Sequence, residues 1–306
     1  MRLDFRGRAC YNTDMIAFLF PGQGVQQKNM LDLIKDRSPF VEEVFEAASD
    51  ATKKDIRALC SSDDLVALTK TENAQPVLTA VSCALDRSLK EKGIRPGIVA
   101  GHSLGQYSAL ISAESLSLWD GFSLIAKRAE LMGKVRKEGA LCAVVGLEEK
   151  TLKTVCEEAK CEIALKNAPG QIVIGGEKEA VIKGKALAEN AGALLTEILS
   201  VSNAFHTSVM KEIEEEFAEH VRKTPLKNPT ATVLLNCKGG LAKSVEDIRS
   251  DLINQTCHTV LWADCMKYLV SQKPNCVYEV GMGKVLASLL KRQDRKIVIK
   301  NVFEEV

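Results

Sequence analysis

No segment of the sequence approaches the roughly 20 consecutive apolar residues that a helix needs to cross a bilayer. The first fourteen residues also lack the apolar core of a signal peptide, and they are short and rather acidic for an arginine-rich transit peptide. These absences predict a chain that does not associate with membranes. We interpret residues 1–14 as an N-terminal extension that precedes the folded core.

Neither sign of charge dominates the chain. Its 306 residues include 41 basic and 40 acidic side chains, for a formal net charge of +1. A protein that binds nucleic acid usually carries a clear basic excess, so we expect no nucleic-acid partner. Hydrophobic residues make up 46% of the chain, which is ordinary for a globular protein with a sizeable core.

The ten cysteines form no C-x-x-C pair and show none of the spacings of a zinc site. We therefore expect no bound metal. Unpatterned cysteines in a chain of this length are typical of free thiols in a reducing compartment. The expected location is the cytoplasm.

A candidate nucleophile lies in the stretch IVAGHSLGQYSAL, residues 98–110. An apolar run, the pattern G-x-S-x-G and a helical pattern follow one another there, as they do in a nucleophile elbow. Side chains at positions 101 and 105 would clash at such a sharp turn, which explains both glycines. The turn would expose the hydroxyl of Ser103 and direct the backbone N–H of Leu104 towards a developing oxyanion.

Strands and helices alternate along most of the chain, which predicts a mostly parallel sheet with helices on both faces. The predicted strands of this larger part are 15–20, 98–100, 231–236, 277–281 and 296–302. Apart from the helix that follows the elbow, its predicted helices are 26–35, 39–50, 55–69, 73–93, 117–137, 208–223, 245–256, 262–272 and 283–291.

Between residues 137 and 203 the pattern changes to the order βαββαβ, which is typical of a ferredoxin-like domain. The predicted elements are strands at 140–147, 161–168, 171–176 and 193–202, with helices at 148–159 and 178–191. We therefore predict an α/β protein with a parallel sheet in its larger subdomain. That subdomain comprises residues 15–136 and 204–306, and the small ferredoxin-like subdomain of residues 137–203 is inserted into it.

A nucleophilic serine needs a base, and the chain has only four histidines. His102 adjoins Ser103 on a tight turn, where neighbouring side chains seldom face each other, and His220 fits the flank of a helix. His206 is the best candidate because it lies where the two subdomains rejoin, and such junctions form clefts. No acidic residue between Ser103 and His206 stands out as a third member, so a backbone or amide carbonyl is expected to orient the imidazole.

Arg128 interrupts an apolar helical stripe. Positions 124, 128, 131 and 135 share one face of a helix, and the other three are Leu124, Leu131 and Val135. A guanidinium there must reach solvent, form an internal salt bridge or bind an anionic ligand. We favour the ligand, because the fork of donors on an arginine fits a carboxylate.

Seven motifs together resemble one family. They are, in chain order, FPGQG at 20–24, ENAQPVL at 72–78, GHSLGQYSAL at 101–110, RAELMG at 128–133, NAFHTSVM at 203–210, Gln255 with Trp262, and YEVGMGKVL at 278–286. Over residues 15–303 the chain is similar to the malonyl-CoA:acyl-carrier-protein transacylases of fatty-acid synthesis and to the trans-acting acyltransferases of polyketide assembly lines. The resemblance implies an α/β-hydrolase-like larger subdomain beside a ferredoxin-like smaller one.

The resemblance also implies a role for individual residues. Ser103 would be acylated, and His206 would act as the base, steadied by a carbonyl of Gln255. The backbone N–H groups of Leu104 and Gln23 would hold the oxyanion. The residues implied to contact the acyl substrate are Arg128, which would grip the malonyl carboxylate, and Met132, Phe205 and His102.

Four positions depart from the family pattern, and none of them removes a catalytic group. Gln106 replaces a glutamate, Val25 a serine and Met282 a proline, while His258 lies where a small polar residue is common. Phe205 is the residue typical of malonyl-selecting members.

The implied reaction has two half-reactions. Ser103 attacks malonyl-CoA and releases coenzyme A, and the phosphopantetheine thiol of acyl carrier protein then takes the malonyl group. We expect a monomer that needs no metal or redox cofactor, with coenzyme A entering only as part of substrate and product. One alternative is an acyl hydrolase on the same scaffold, whose members tend to lack the arginine. Another is a non-catalytic carrier-docking subunit, which would be expected to have lost Ser103 or His206.

Overall fold

The computed structural model describes residues 2–3, 9–10 and 15–306. Of the predicted extension at 1–14, two short strands, Arg2–Leu3 and Ala9–Cys10, pair in antiparallel fashion. The remainder of that prediction lies outside the described residues. The rest of the chain is a mixed α/β fold that contains two larger sheets.

The strands of the described residues are, in chain order, β1 (Arg2–Leu3), β2 (Ala9–Cys10), β3 (Ile16–Phe20), β4 (Ile98–Gly101), β5 (Gly139–Val145), β6 (Glu162–Ala168), β7 (Gln171–Glu177), β8 (Leu195–Ile198), β9 (Thr232–Leu235), β10 (Gly240–Leu241), β11 (Cys276–Glu279) and β12 (Ile299–Asn301). Six of them form the larger sheet in the order β10-β9-β4-β3-β11-β12. All neighbours in this sheet are parallel except β10, which pairs with β9 in antiparallel fashion. The predicted parallel sheet is therefore confirmed.

The centre of the larger sheet is completely buried. Residues 17–20 of β3 and Val99 and Ala100 of β4 have no exposed surface. Strands covered on both faces read as continuous apolar runs, and this explains why these segments do not alternate with polar residues. Since β3, β4, β9 and β11 are parallel, the loops that follow them meet at one edge of the sheet, where ligands of open α/β sheets bind.

The α-helices of the described residues are, in chain order, α1 (Met30–Ile34), α2 (Val41–Thr52), α3 (Ile56–Cys60), α4 (Leu65–Thr69), α5 (Thr71–Glu91), α6 (Gly105–Ser112), α7 (Leu118–Lys134), α8 (Glu149–Ala159), α9 (Lys178–Asn190), α10 (Lys211–Lys223), α11 (Val245–Asn254), α12 (Trp262–Ser271), α13 (Val285–Gln293) and α14 (Val302–Glu305). A 3₁₀ turn, Ser208–Met210, precedes α10. Within the residues that the structure describes, none of these helices is both long and apolar enough to cross a membrane.

The single helix predicted at 55–69 is wrong, because the segment forms two helices, α3 and α4. The carboxylate of Asp64 accepts a hydrogen bond from the backbone N–H of Ala67, at 2.9 Å, and so caps a new helix. The N–H of Asp64 in turn donates to the hydroxyl of Ser62, at 3.0 Å. Local side-chain acceptors therefore end one helix and begin the next.

The long helix α5 continues without interruption although Pro76 lies inside it. Proline has no N–H, so the carbonyl of Glu72, one turn earlier, loses its helical partner. The ammonium group of Lys54 donates to that carbonyl at 3.0 Å and replaces the missing hydrogen bond. Helix α5 packs against α7, which carries Arg128.

The second sheet is antiparallel and lies within residues 139–198, with strand order β6-β7-β5-β8. Some of its buried residues, such as Cys142 and Ile174, form a separate hydrophobic cluster with α8 and α9, whereas others, such as Leu141 and Val173, belong to the main core. The strand predicted at 193–202 is shorter than expected and covers Leu195–Ile198. The edge strand β6 meets the larger part of the molecule where the N–H of Lys166 donates to the carbonyl of Val260, at 2.9 Å.

Candidate active site

The elbow after β4 places Ser103 in a left-handed conformation, with φ of 51°. A Cβ at position 101 would lie 1.9 Å from the carbonyl carbon of Gly105. A Cβ at position 105 would lie 2.0 Å from the carbonyl oxygen of Phe20. Both glycines are thus required by the close approach of strand and helix, as the sequence pattern predicts.

The imidazole of His206 contacts the hydroxyl of the nucleophile. Its Nε2 lies 2.7 Å from the hydroxyl of Ser103. Its Nδ1 lies 2.6 Å from the main-chain carbonyl of Gln255, which can only accept, so Nδ1 carries the proton and Nε2 is the acceptor. The contact of Nδ1 is thus with a backbone carbonyl, one of the two kinds of carbonyl expected from the sequence.

The surroundings of His206 keep the imidazole neutral. Burial, followed by the positive charge of Arg128, lowers the pKa of His206 to about 3, although the hydrogen bond to Gln255 acts in the opposite direction. At neutral pH the ring is therefore a proton acceptor. An imidazolium formed during a reaction would need its charge to be compensated.

Arg128 is 1% exposed and lies beside the nucleophile. Its Nη2 donates to the hydroxyl of Ser103 and to Oε1 of Gln255, both at 3.2 Å, and its Nη1 donates to Oε1 of Gln75 at 2.8 Å. The guanidinium also lies 5.6 Å from the ring centre of Tyr107. All of these partners are neutral.

No ion pair found among the described residues includes Arg128, and its Nε has no hydrogen-bond acceptor in the same part of the chain. Burial lowers the pKa of Arg128, but a guanidinium stays charged at neutral pH. Of the three alternatives for this residue, solvent exposure and an internal salt bridge do not fit the structure. A buried cation without a counter-ion is suited to an anionic ligand.

The two backbone N–H groups predicted to hold an oxyanion belong to the elbow and to the loop that packs against it. Within the described chain, neither the Leu104 N–H nor the Gln23 N–H donates to another residue. Leu104 immediately precedes α6, where N–H groups have no intrahelical partner. The loop that contains Gln23 packs closely against the elbow. A Cβ at position 22 would lie only 2.8 Å from the carbonyl oxygen of His102.

The other predicted substrate residues take different positions. Met132 is buried near Arg128, and its sulfur accepts a hydrogen bond from Nε2 of Gln75, at 3.5 Å. His102 turns towards the small sheet, where its Nε2 lies 2.9 Å from Oδ1 of Asn167. Phe205 is buried directly before His206. Contacts of Met132, Phe205 and His102 with a substrate stay predictions.

Two amide side chains of the site are missed by sequence reasoning. Gln75 holds Arg128, and Asn236 accepts a hydrogen bond from the N–H of Ser103 at 2.7 Å. Gln75 lies within the quoted motif ENAQPVL, and this was the available signal. Asn236 follows a buried strand that ends at the same sheet edge as the elbow, but nothing in the local pattern distinguishes it.

Neither a metal centre nor a reactive thiol accompanies the serine in the described residues. No group of three or more His, Cys, Asp or Glu side chains there is placed to hold a metal ion. Nine cysteines have described side chains and eight of them are buried; Cys60, Cys83 and Cys265 are among the free thiols. Burial raises the pKa of the ninth, Cys237, which keeps that thiol protonated.

The chain matches a family model described as the acyl transferase domain over residues 17–294. The malonyl CoA-acyl carrier protein transacylase of Bacillus subtilis (strain 168) is 35% identical over 289 residues, which cover 92% of this chain and 91% of that protein.

Solved structures give the same result. The malonyl CoA-acyl carrier protein transacylase of Coxiella burnetii superposes with a TM-score of 0.91 at 32% identity, covering 95% of this chain and 94% of that one. A malonyl-transacylase solved in complex with its type II PKS acyl-carrier protein superposes with a TM-score of 0.90 at 33% identity, covering 94% and 95%.

Proposed function

The chain belongs to the acyl transferase family, among the malonyl CoA-acyl carrier protein transacylases, and we propose that Ser103 carries the malonyl group between two thiols. The donor is malonyl-CoA and the acceptor is the phosphopantetheine thiol of an acyl carrier protein, for fatty-acid or polyketide synthesis. The observation that carries this proposal is the buried, uncompensated guanidinium of Arg128 beside the nucleophile.

The position of Arg128 fits malonate better than an uncharged acyl group. In a malonyl ester of Ser103, one methylene group separates the reacting carbonyl from the free carboxylate. Since Nη2 of Arg128 lies 3.2 Å from the serine hydroxyl, the carboxylate of such an ester is within reach of the guanidinium. The pair would be charge-assisted and, if bidentate, would also orient the acyl group.

Acylation begins when Nε2 of His206 takes the proton of the Ser103 hydroxyl, which attacks the thioester carbonyl. The negative charge of the tetrahedral intermediate is held by the N–H groups of Leu104 and Gln23. Collapse of the intermediate breaks the carbon–sulfur bond, and the imidazolium of His206 gives its proton to the departing thiolate of coenzyme A.

The second half-reaction runs the same steps in reverse. His206 takes the proton of the phosphopantetheine thiol, and the thiolate attacks the malonyl ester. Collapse of the second intermediate returns the proton to Ser103. A ping-pong mechanism follows, and each step is served by groups of this one chain, which supports a monomer without a resident metal or redox cofactor.

The finer description of the fold belongs to the same proposal. An α/β-hydrolase-like larger subdomain of residues 15–136 and 204–306 is supported by the elbow that follows β4 of the parallel sheet. A ferredoxin-like subdomain at 137–203 is supported by the strand order, since β8-β5-β7-β6 is the order 4-1-3-2 of a βαββαβ unit. The free thiols support a reducing cytoplasm as the place of action.

The test is covalent labelling of the serine. Intact-protein mass spectrometry after mixing with malonyl-CoA is expected to show one malonyl adduct, which passes to holo acyl carrier protein when this is added. Ser103→Ala is expected to show no adduct, whereas Ser117→Ala, a change of a helix-capping serine, retains it. An adduct on Ser103→Ala would place the nucleophile elsewhere and contradict the proposal.

A further inference from the structure

Asn236 is the first residue after β9 and lies beside the elbow. Strand β9 pairs with β4, so the end of one strand is next to the turn that follows the other. The side chain of Asn236 has no exposed surface. A carboxamide buried there must find partners for both of its ends.

The carboxamide of Asn236 spans the elbow. Its Nδ2 donates to the carbonyl of Gly101, before the serine, at 2.7 Å, and its Oδ1 accepts from the N–H of Ser103 at 2.7 Å. Nδ2 also donates to Oε1 of Gln106 at 2.6 Å, and Oδ1 accepts from Nε2 of Gln255 at 3.4 Å. Both hydrogens and both lone pairs of the amide are thereby used.

The backbone of Asn236 is also held on both sides. Its N–H donates to the carboxylate of Asp251 at 3.1 Å, and its carbonyl accepts from the N–H of Leu261 at 2.8 Å. The backbone that carries the side chain is therefore fixed. Because the amide also has four hydrogen-bond partners, it adopts one orientation.

This orientation bears on the reaction in two ways. Ser103 has a φ of 51°, which a serine adopts only when its surroundings enforce it, and Asn236 contacts the backbone on both sides of that residue. Through Nε2 of Gln255, Asn236 also contacts the residue whose carbonyl orients His206. One side chain thus connects the support of the nucleophile with the support of the base.

We propose that Asn236 is a positioning residue that holds Ser103 in its reactive conformation and keeps the serine hydroxyl within hydrogen-bond distance of His206. The inference rests on the proposed function only in taking Ser103 as the nucleophile. Asn236 has no hydrogen bond to Arg128 in the described structure, so its loss is expected to affect the chemical step rather than the binding of malonyl-CoA.

The first experiment compares Asn236→Ala with wild type by two rates. One is kcat for malonyl transfer, and the other is the labelling of Ser103 by a fluorophosphonate, in which the serine oxygen bonds to phosphorus and fluoride leaves. We expect both rates to fall about 10- to 100-fold, the effect of a small misplacement of reacting groups, with KM for malonyl-CoA nearly unchanged. Circular dichroism and a thermal unfolding curve verify that the variant is folded.

Asn236→Asp supplies a pH signature that a general loss of stability would not produce. The new carboxyl can accept from the N–H of Ser103 in either form, but it can donate to the carbonyl of Gly101 only when protonated. We therefore expect the labelling rate of this variant, relative to wild type, to increase as the pH falls from 8 to 5. This variant also serves as the test if Asn236→Ala does not fold.

Two matched variants complete the comparison. Asn73→Ala removes an amide that is hydrogen-bonded at both ends but remote from the elbow, and we expect wild-type rates. Asn301→Ala removes an amide that caps α14 next to β12, at the opposite edge of the larger sheet, and its rates are also expected to stay near those of wild type.

Labelling and kcat within twofold of wild type in a folded Asn236→Ala variant would overturn the inference, and so would a relative labelling rate of Asn236→Asp that does not change between pH 8 and 5. The proposed function fails by a separate result, in which wild type reacts with the fluorophosphonate at Ser103 but forms no malonyl adduct. The effect of Asn236 on labelling can still be measured in that case, so the two failures are distinguishable.

Discussion

Two buried charges in this molecule have different surroundings. On α5, the buried carboxylate of Asp86 lies 2.7 Å from Nζ of Lys90, which is partly exposed, and accepts a hydrogen bond from the hydroxyl of Ser112 at 2.6 Å. On α7, Arg128 is equally buried but contacts neutral groups in the described residues. The first charge is compensated within the chain, and the second is not.

The difference indicates what each charge is for. A buried ion needs a counter-ion, since its desolvation is costly. Where the chain supplies the counter-ion, the charge serves the fold. Where three neutral hydrogen-bond acceptors hold a cation in place instead, a substrate can supply the anion, and the charge then serves recognition.

The largest effect is expected from loss of the base, which should impair every substrate alike. His206→Ala removes the group that accepts and returns the proton in both half-reactions, and general acid–base catalysis contributes about 10²–10⁴-fold. We expect malonyl-CoA and acetyl-CoA to be affected equally, measured as kcat/KM. His220→Ala, on the exposed side of α10, is the control, and rates within about twofold of wild type for His206→Ala would make that residue structural.

Loss of Arg128, the uncompensated charge, should lower kcat/KM for malonyl-CoA but not for acetyl-CoA. In Arg128→Ala the carboxylate of malonyl-CoA would be desolvated and unpaired, at a cost of about 2–5 kcal/mol by analogy with broken charge pairs. The ratio of kcat/KM for malonyl-CoA over acetyl-CoA should therefore fall by about 30-fold or more. Acetyl transfer should change little or rise, because that acyl group brings no carboxylate.

Lys127→Ala is the matched control for this experiment. Lys127 is the preceding residue of α7 and pairs with Glu216 on another face of the helix. Its loss should leave the substrate ratio unchanged. If Arg128→Ala impairs both substrates equally, Arg128 supports the fold and the carboxylate partner lies elsewhere.

Breaking the ion pair of Asp86 and Lys90 should lower the stability of the protein and leave its choice of substrate unchanged. Lys90→Met leaves the carboxylate of Asp86 buried without its cation, which should lower the free energy of unfolding by about 3 kcal/mol. The substrate ratio should not change. Replacing both partners, with Asp86→Leu and Lys90→Met, should recover much of the stability, since an apolar pair has no charge to desolvate. A single variant as stable as wild type would contradict this assignment.

Much of the elbow and of the Arg128 site was predictable because the signals are local. The glycines at 101 and 105 predict a close approach of the strand and the helix at the elbow. The structure shows this approach, because a Cβ at either position would overlap backbone atoms. Arg128 is recognisable from its helical face, since an apolar stripe predicts burial. Neither inference requires knowledge of residues that are remote in the sequence.

The supporting residues were not predictable in this way, because their contacts are remote in sequence. Asn236 lies 133 residues from Ser103, and Gln75 lies 53 residues from Arg128. The packing of parallel strands and of α5 against α7 brings these pairs together. The division of 55–69 into two helices was missed for a different reason, since the capping role of Asp64 competes with its place in a helical pattern.

The smallest effect, and the one that tests the comparison most directly, is a shift in a pKa. After burial, the positive charge of Arg128 is the next cause that lowers the pKa of His206 to about 3. His206 acts as a base only when neutral, so the rate is lost as the pH falls through this value. Arg128→Leu removes the opposing charge and should raise the pKa, so that kcat/KM for acetyl-CoA declines at a higher pH than in wild type.

A bound malonyl group should act on wild type in the same direction. Its carboxylate compensates Arg128, which makes an imidazolium at His206 easier to form in the complex than in the free enzyme. Since kcat reports the complex and kcat/KM the free enzyme, the acid limb of kcat for malonyl-CoA should lie at a higher pH than that of kcat/KM. Acetyl-CoA should show no such separation. If the acid limbs of kcat and kcat/KM coincide for malonyl-CoA as well as for acetyl-CoA, the malonyl carboxylate does not compensate the charge of Arg128. The position of Arg128 beside Ser103 would then need another explanation.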